Sequence, residues 1–172
     1  MGTAAMWMAL SLPSLVFMVV AAWRDLATRM IPDAVPAALF LTGLVLRGHD
    51  SIGAAGVSLV VAVLIFVMLA ALHAQGWLGG GDVKLVSGVA AGLAPHAVIL
   101  FLIATGIAGG VLAAVHLVLR RLPGPTWVPP PTVGLVRVWR AERWRIARRG
   151  PLPYGVAIAC GGAWAIFHSL GA

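Results

Sequence analysis

Four long apolar runs, Ala4 to Trp23, Ile52 to His73, Ala97 to Leu119 and Tyr154 to Leu170, are separated by short polar breaks. A hydrocarbon core about 30 Å thick takes roughly 20 residues of helix, so each run predicts a spanning helix with modest tilt or bilayer thinning. Two shorter runs follow local breaks: Val35 to Leu46 after Ile31-Pro32-Asp33, and Val83 to Leu93 after a glycine run. By length alone these suit re-entrant or interfacial segments as well as spans. The pattern predicts an all-α, polytopic bundle of about six transmembrane helices, forming a single domain over residues 1–172. No Lys or Arg precedes Ala4, and a cleavable signal peptide opens with a positive region, so the first run is expected to stay as a helix.

The segment of about 120–153 breaks this pattern. Its first part, Pro123 to Pro131, is too proline-rich for regular helix. From Thr132 to Arg149 a helix would align Leu135, Trp139 and Ile146 on a narrow apolar stripe with arginines around most of the remainder. That arrangement suits a helix lying on anionic lipid; a solvated basic loop is the plainer alternative. Small residues four apart, Gly88 with Gly92 and Gly106 with Gly110, predict close helix packing.

Composition agrees with the bilayer as solvent. Of 172 residues, 61% are hydrophobic and 10% charged, with a mean hydropathy of +1.01, too little polar surface for a soluble globule of this size. The net charge of +7 does not signal nucleic acid, because the basic residues flank the apolar segments and read as topology markers. If all six segments cross, Arg24, Arg29, Lys84, Arg120, Arg121, Arg137, Arg140, Arg143, Arg145, Arg148 and Arg149 share one side and Arg47 alone faces the other. That side is then cytoplasmic, and both termini are extracytoplasmic. A four-helix alternative splits the charges equally well but puts Asp25 and Asp82 on opposite sides. The single cysteine, Cys160, lies in an apolar run and supports neither a disulfide nor a Cys-x-x-Cys metal site.

The chain has five acidic residues, Asp25, Asp33, Asp50, Asp82 and Glu142, and carboxylates at the mouths of membrane helices invite a functional reading. Asp25 follows the first run, where the plain role is an ion pair with Arg29 four residues on. Asp82 follows Gly79-Gly80-Gly81, whose backbone freedom lets a carboxylate approach a bound peptide; its plain role is a helix N-cap. The glycine run is not a phosphate-binding loop, since Asp82 stands where that motif needs Lys. Two carboxylates within hydrogen-bonding distance share a proton, one activating water while the other protonates the scissile carbonyl. That is amide hydrolysis with no metal and no cofactor.

These residues resemble the type IV prepilin leader peptidases, intramembrane aspartic proteases with a GxGD motif. Gly79-Gly80-Gly81-Asp82-Val83-Lys84-Leu85 is similar to that family's second active-site motif, and Asp25 followed six residues later by Ile31-Pro32 is similar to its first. Pro153-Tyr154-Gly155 resembles a third stretch, opening the last helix. The resemblance implies Asp25 and Asp82 as the catalytic pair, with Gly79, Gly80, Gly81, Lys84, Ile31 and Pro32 supporting the site or binding substrate. It implies prepilin or prepilin-like substrates, a bacterial cytoplasmic membrane, and a basic leader removed after a glycine. The methyltransferase region of long family members is absent from this sequence, so a peptidase-only form like those serving Flp or tight-adherence pili is expected, without N-methylation. Asp33 stands where Asn often follows Ile-Pro; it is a rival for the first catalytic role, although its position suits an N-cap.

Lys84 is two positions from Asp82 and would face elsewhere on a helix, so it is expected to snorkel to headgroups. The five histidines, His49, His73, His96, His116 and His168, lack metal-ligand spacing and read as interfacial. The rival function is a small proton-coupled transporter or channel component using the same carboxylates, and a third is an inactive assembly factor that binds pilins through the basic loop.

Overall fold

The computed structural model describes residues 3–122 and 134–171, and every regular element among them is a helix: α1 (Thr3–Thr28), α2 (Ala34–Asp50), α3 (Ile52–Ala74), α4 (Gly80–Ala90), α5 (Pro95–Leu119), α6 (Leu135–Ala147) and α7 (Tyr154–Gly171). Pro123 to Pro131, with Thr132 and Val133, lie outside the described residues. Six of the seven helices fall on the six apolar runs and the seventh on the basic segment. Two, Ile52–Ala74 and Pro95–Leu119, are each long and apolar enough to cross a membrane unaided. They turn Val57, Val60, Leu64, Val67, Ile99, Ile103, Ile107 and Val111 outward, as lipid-facing helices do.

Helix α4 differs from the others. Its 11 residues rise about 16 Å at 1.5 Å per residue, roughly half a hydrocarbon core. Val83 and every residue from Leu85 to Ala90 are buried, because α2, α3 and α7 pack around it. It sits in the core of the bundle, where its Leu85 shares one buried apolar cluster with Leu39, Phe101 and Ile158.

The approach of α2 to α4 is backbone to backbone. A Cβ on Gly43 would stand 2.6 Å from the Gly92 nitrogen, and one on Gly88 would stand 2.7 Å from the Pro36 carbonyl oxygen. The Gly88 and Gly92 pair thus packs as its spacing predicts. Gly106 and Gly110 do not: both face open space. The α5–α7 seam runs instead through Gly109, against Tyr154, and Gly161, against Thr105, because the face α5 presents to α7 is rotated from the one that spacing marks.

Helix α6 also turns another face inward. Val138, Glu142 and Ile146 are buried while Leu135 and Trp139 are exposed, so the expected Leu135–Trp139–Ile146 stripe is not the packed one. A buried carboxylate, Glu142, defines the docked face, since it meets Arg29 just past the end of α1 and His116 on α5.

Candidate active site

Helix α1 continues past its apolar run to Thr28, which places Asp25 inside its last turn. Pro32 disfavours helix at Ile31, and Arg29 leaves the helix with a left-handed φ of 58°. The last carbonyls of α1 have no intrahelical donors, and Arg145 of α6 supplies them: Nη1 donates to the Leu26 oxygen at 2.8 Å and Nη2 to the Ala27 oxygen at 2.9 Å. A cation at a helix C-terminus also opposes the negative end of the helix dipole.

Asp25 is buried, 7% exposed, and its Oδ2 accepts a 2.8 Å hydrogen bond from the Gly155 amide. Gly155 is the second residue of α7, where first-turn amides are free to hold an anion. The Pro153-Tyr154-Gly155 stretch therefore aims the start of α7 at Asp25. A Cβ at Gly155 would stand 3.0 Å from both Cβ and Oδ2 of Asp25, so this approach needs glycine.

Asp82 is the third residue of α4; the N-cap is Gly79, extended at φ −71° and ψ 138°. The expected N-cap role for Asp82 thus falls to Gly79, and the carboxylate occupies the first turn. A Cβ on Gly79 would stand 3.0 Å from Asp82 Oδ2, and the Cβ position of Gly81 lies 3.8 Å from Ile31 Cβ. The glycine run consequently packs on the Ile31-Pro32 break, bringing the two sequence motifs into contact. Gly80 abuts the His73 ring, whose Nδ1 lies 2.7 Å from the Leu78 oxygen and ties the end of α3 to the same loop.

The two aspartates lie at the same end of the bundle. Asp82 is close enough to sense the charges of Asp25 and Arg29, and Asp25 senses Arg29, Glu142 and Arg145. Asp25 does not hydrogen-bond Arg29 through its side chain, as the plain reading expected; the Arg29 guanidinium crosses to Glu142 instead.

Asp33 and Lys84 form their own pair. Asp33 occupies the N-cap position of α2, but with helical dihedrals and no capping hydrogen bond; its Oδ1 accepts from Lys84 Nζ at 2.8 Å. Lys84 is therefore an ion-pair partner rather than a free snorkelling cation. A groove of about 290 Å³ beside this pair is lined by α2, α3 and α4, including Phe40 and Phe66, and by neither Asp25 nor Asp82.

Sequence reasoning did not anticipate the cluster around Glu142. Its Oε1 takes Arg29 Nη2 and lies 3.0 Å from His116 Nε2, while Oε2 lies 3.4 Å from Arg145 Nη1. His116 is buried, not interfacial, and its Nδ1 sits 2.9 Å from the Leu112 carbonyl oxygen. The other four histidines are exposed, as interfacial residues are. Among the described residues no three His, Cys, Asp or Glu side chains gather in a metal-binding arrangement.

Among the described residues the chain is a helical bundle with apolar outward faces, and it carries Asp25 on α1 and Asp82 on α4. The family model of the type IV leader peptidase family matches residues 12–114, more than half the chain, and the chain belongs to that family. It is thus a member of a peptidase family whose proteins are embedded in membranes. The match spans Asp25 and Asp82 and stops short of His116, Glu142 and Gly155. No curated protein and no solved structure gives a significant match.

Proposed function

We propose that this chain is an intramembrane aspartic endopeptidase that removes the basic leader from type IV or Flp-type prepilins, or prepilin-like proteins, at the cytoplasmic face of a bacterial inner membrane. The observation that carries the reading is that Asp25 and Asp82, 57 positions apart in the sequence, lie at one end of the bundle, near enough for Asp82 to feel the charge of Asp25. Such a pair holds one proton in common. The charged member takes a proton from water as the water oxygen bonds to the scissile carbonyl carbon. The protonated member gives its proton to the carbonyl oxygen. Collapse of the tetrahedral adduct breaks the carbon–nitrogen bond, the amine leaves with a proton, and the pair regains its starting charge. Hydrolysis ends the reaction; methylation of the new N-terminus is not part of it.

The Gly155 amide supports this reading, since it fixes one Asp25 oxygen and orients the other. Asp33 is the poorer candidate, because its exposed carboxylate is engaged by Lys84. The proposed topology has six crossings with both termini extracytoplasmic, the short α4 sheltered by its neighbours, and the basic segment facing anionic headgroups. Co-expression with candidate prepilins tests the function by the size shift of the pilin. Asp25→Asn and Asp82→Asn are expected to abolish processing and Asp33→Asn to retain much of it; full processing by either of the first two refutes the assignment.

A further inference from the structure

Helix α6 bridges the ends of two helices of the bundle. Arg145 donates to the Leu26 and Ala27 carbonyls that close α1, and Arg143 Nη1 donates to the Leu119 carbonyl that closes α5, at 3.2 Å. Between these contacts Glu142 meets Arg29 and His116. Beside this junction α5 turns Val115, Leu117 and Val118 outward, so its lipid-facing surface reaches the level of α6. Among the described residues the first half of α6 is uncovered. Leu135 and Trp139 are 76% and 57% exposed, yet each stands three residues before a buried one, Val138 and Glu142, and residues so spaced are neighbours on one side of a helix. Arg137 and Arg140 are exposed beside them, while Glu142, the sole acidic residue of α6, is buried.

We infer that the uncovered part of α6 seats on the headgroup layer of an anionic bilayer, and that this seating clamps the end of α1 that carries Asp25. Continuity and charge identify the occupant. The side of α6 that docks on the bundle through Glu142 and Ile146 continues to Leu135 and Trp139, where lipid is the next surface. A tryptophan and a leucine flanked by arginines suit the headgroup boundary, and lipid phosphates complement an exposed surface of one sign. Arg145 carries the seating inward as a positioning residue. Its guanidinium fork holds two successive carbonyls, one and two residues past Asp25, a grip that a lysine ammonium does not reproduce. Fixing that last turn fixes the carboxylate, and reaction rates fall steeply when a reacting group is misplaced. The catalytic half of the inference rests on the peptidase reading above; the lipid contact does not.

The test places the full chain in nanodiscs of phosphatidylcholine alone or of equal parts phosphatidylcholine and phosphatidylglycerol. A fluorophore on Leu135→Cys, in a chain with Cys160→Ser, reports seating through its quenching by lipids brominated on their acyl chains. The unlabelled wild-type chain supplies the kinetics, by cleavage of a synthetic peptide with a basic leader ending in glycine before an apolar segment. In the anionic discs, stronger quenching and a higher kcat with KM little changed are expected. Arg137→Gln with Arg140→Gln should weaken seating on the order of fivefold for each arginine and lose the kcat response. Both positions are exposed, so the double variant keeps the clamp testable even where Arg145→Lys fails to fold. Arg145→Lys should keep the quenching and lose most of the kcat response. Equal quenching in the two kinds of disc overturns the lipid contact, as does an anionic response that the double arginine variant leaves intact. A probe covered only when the peptide is added assigns this surface to substrate and overturns it too. Lipid-dependent quenching without a kcat response, or a full response in Arg145→Lys, overturns the clamp. No cleavage in either disc, beside lipid-dependent quenching, sinks the peptidase reading and the clamp with it, and leaves the lipid contact standing.

Discussion

Gly155→Ala separates the geometry of the site from its chemistry, because it removes no functional group. The added methyl would stand 3.0 Å from Asp25 Cβ and Oδ2 and 3.2 Å from Cγ. Carbon atoms in favourable contact lie about 3.5–4.0 Å apart, so either α7 or the carboxylate must retreat by roughly 0.5 Å. The contact is with the rigid base of the side chain, which leaves no easy rotation to relieve it. Retreat also stretches the 2.8 Å Gly155–Asp25 hydrogen bond, and bonds of this kind to charged groups contribute about 1.5–3 kcal/mol. Displacement of a reacting group by about 1 Å costs on the order of 10²-fold in rate, so a loss of roughly 10–100-fold in kcat is expected here. The assay is cleavage of a leader-bearing peptide in detergent, with Gly106→Ala as control, since a Cβ there meets nothing within 4 Å. Gly155→Ala cleaving at the wild-type rate, while Gly106→Ala does the same, would refute the placement of α7 against Asp25.

Other sites give independent checks. Glu142→Ala strands Arg29, Arg145 and His116 around a buried position and is expected to cost about 3–5 kcal/mol, seen as a lower melting temperature and faster proteolysis near α6. Gly43→Ala forces a methyl against the Gly92 backbone at 2.6–2.7 Å and is expected to destabilise by about 1–3 kcal/mol, read by thermal denaturation in detergent. Lys84→Met breaks an ion pair whose side chains are 46% and 78% exposed; stability should change by less than about 1 kcal/mol in the same assay.

Much of the helical layout could be read from the residue pattern, since a run such as Ile52 to His73 has no Asp, Glu, Lys or Arg to interrupt it and the structure extends it only to Ala74. The proximity of Asp25 and Asp82 followed from motif resemblance and from the need to place both on one side, not from any local signal. Faces were harder to read. Glycine spacing identified Gly88 and Gly92 correctly but chose Gly106 and Gly110 over Gly109 and Gly161, because an evenly apolar helix such as α5 carries no mark of which side meets protein and which meets lipid. The inward face of α6 was misread for a related reason: counting only apolar residues excludes Glu142, whose burial depends on Arg29 and His116, 113 and 26 positions away. Arg29 itself read as a topology charge. Its place between Asp25 and Ile31-Pro32 was the available hint, but its left-handed backbone and its partner on α6 exist only in the fold.

Whether the two acids truly face each other is most directly measured by cross-linking. In a chain with Cys160→Ser, Asp25→Cys and Asp82→Cys would be introduced together and treated in native membranes with a short thiol-specific bridge. Ser14→Cys with Thr42→Cys serves as the positive control, because those side-chain oxygens lie 3.4 Å apart. Efficient bridging of positions 25 and 82 is the result expected. Failure to bridge them while the control pair joins, with each cysteine labelled from a different side of the membrane, would contradict the account.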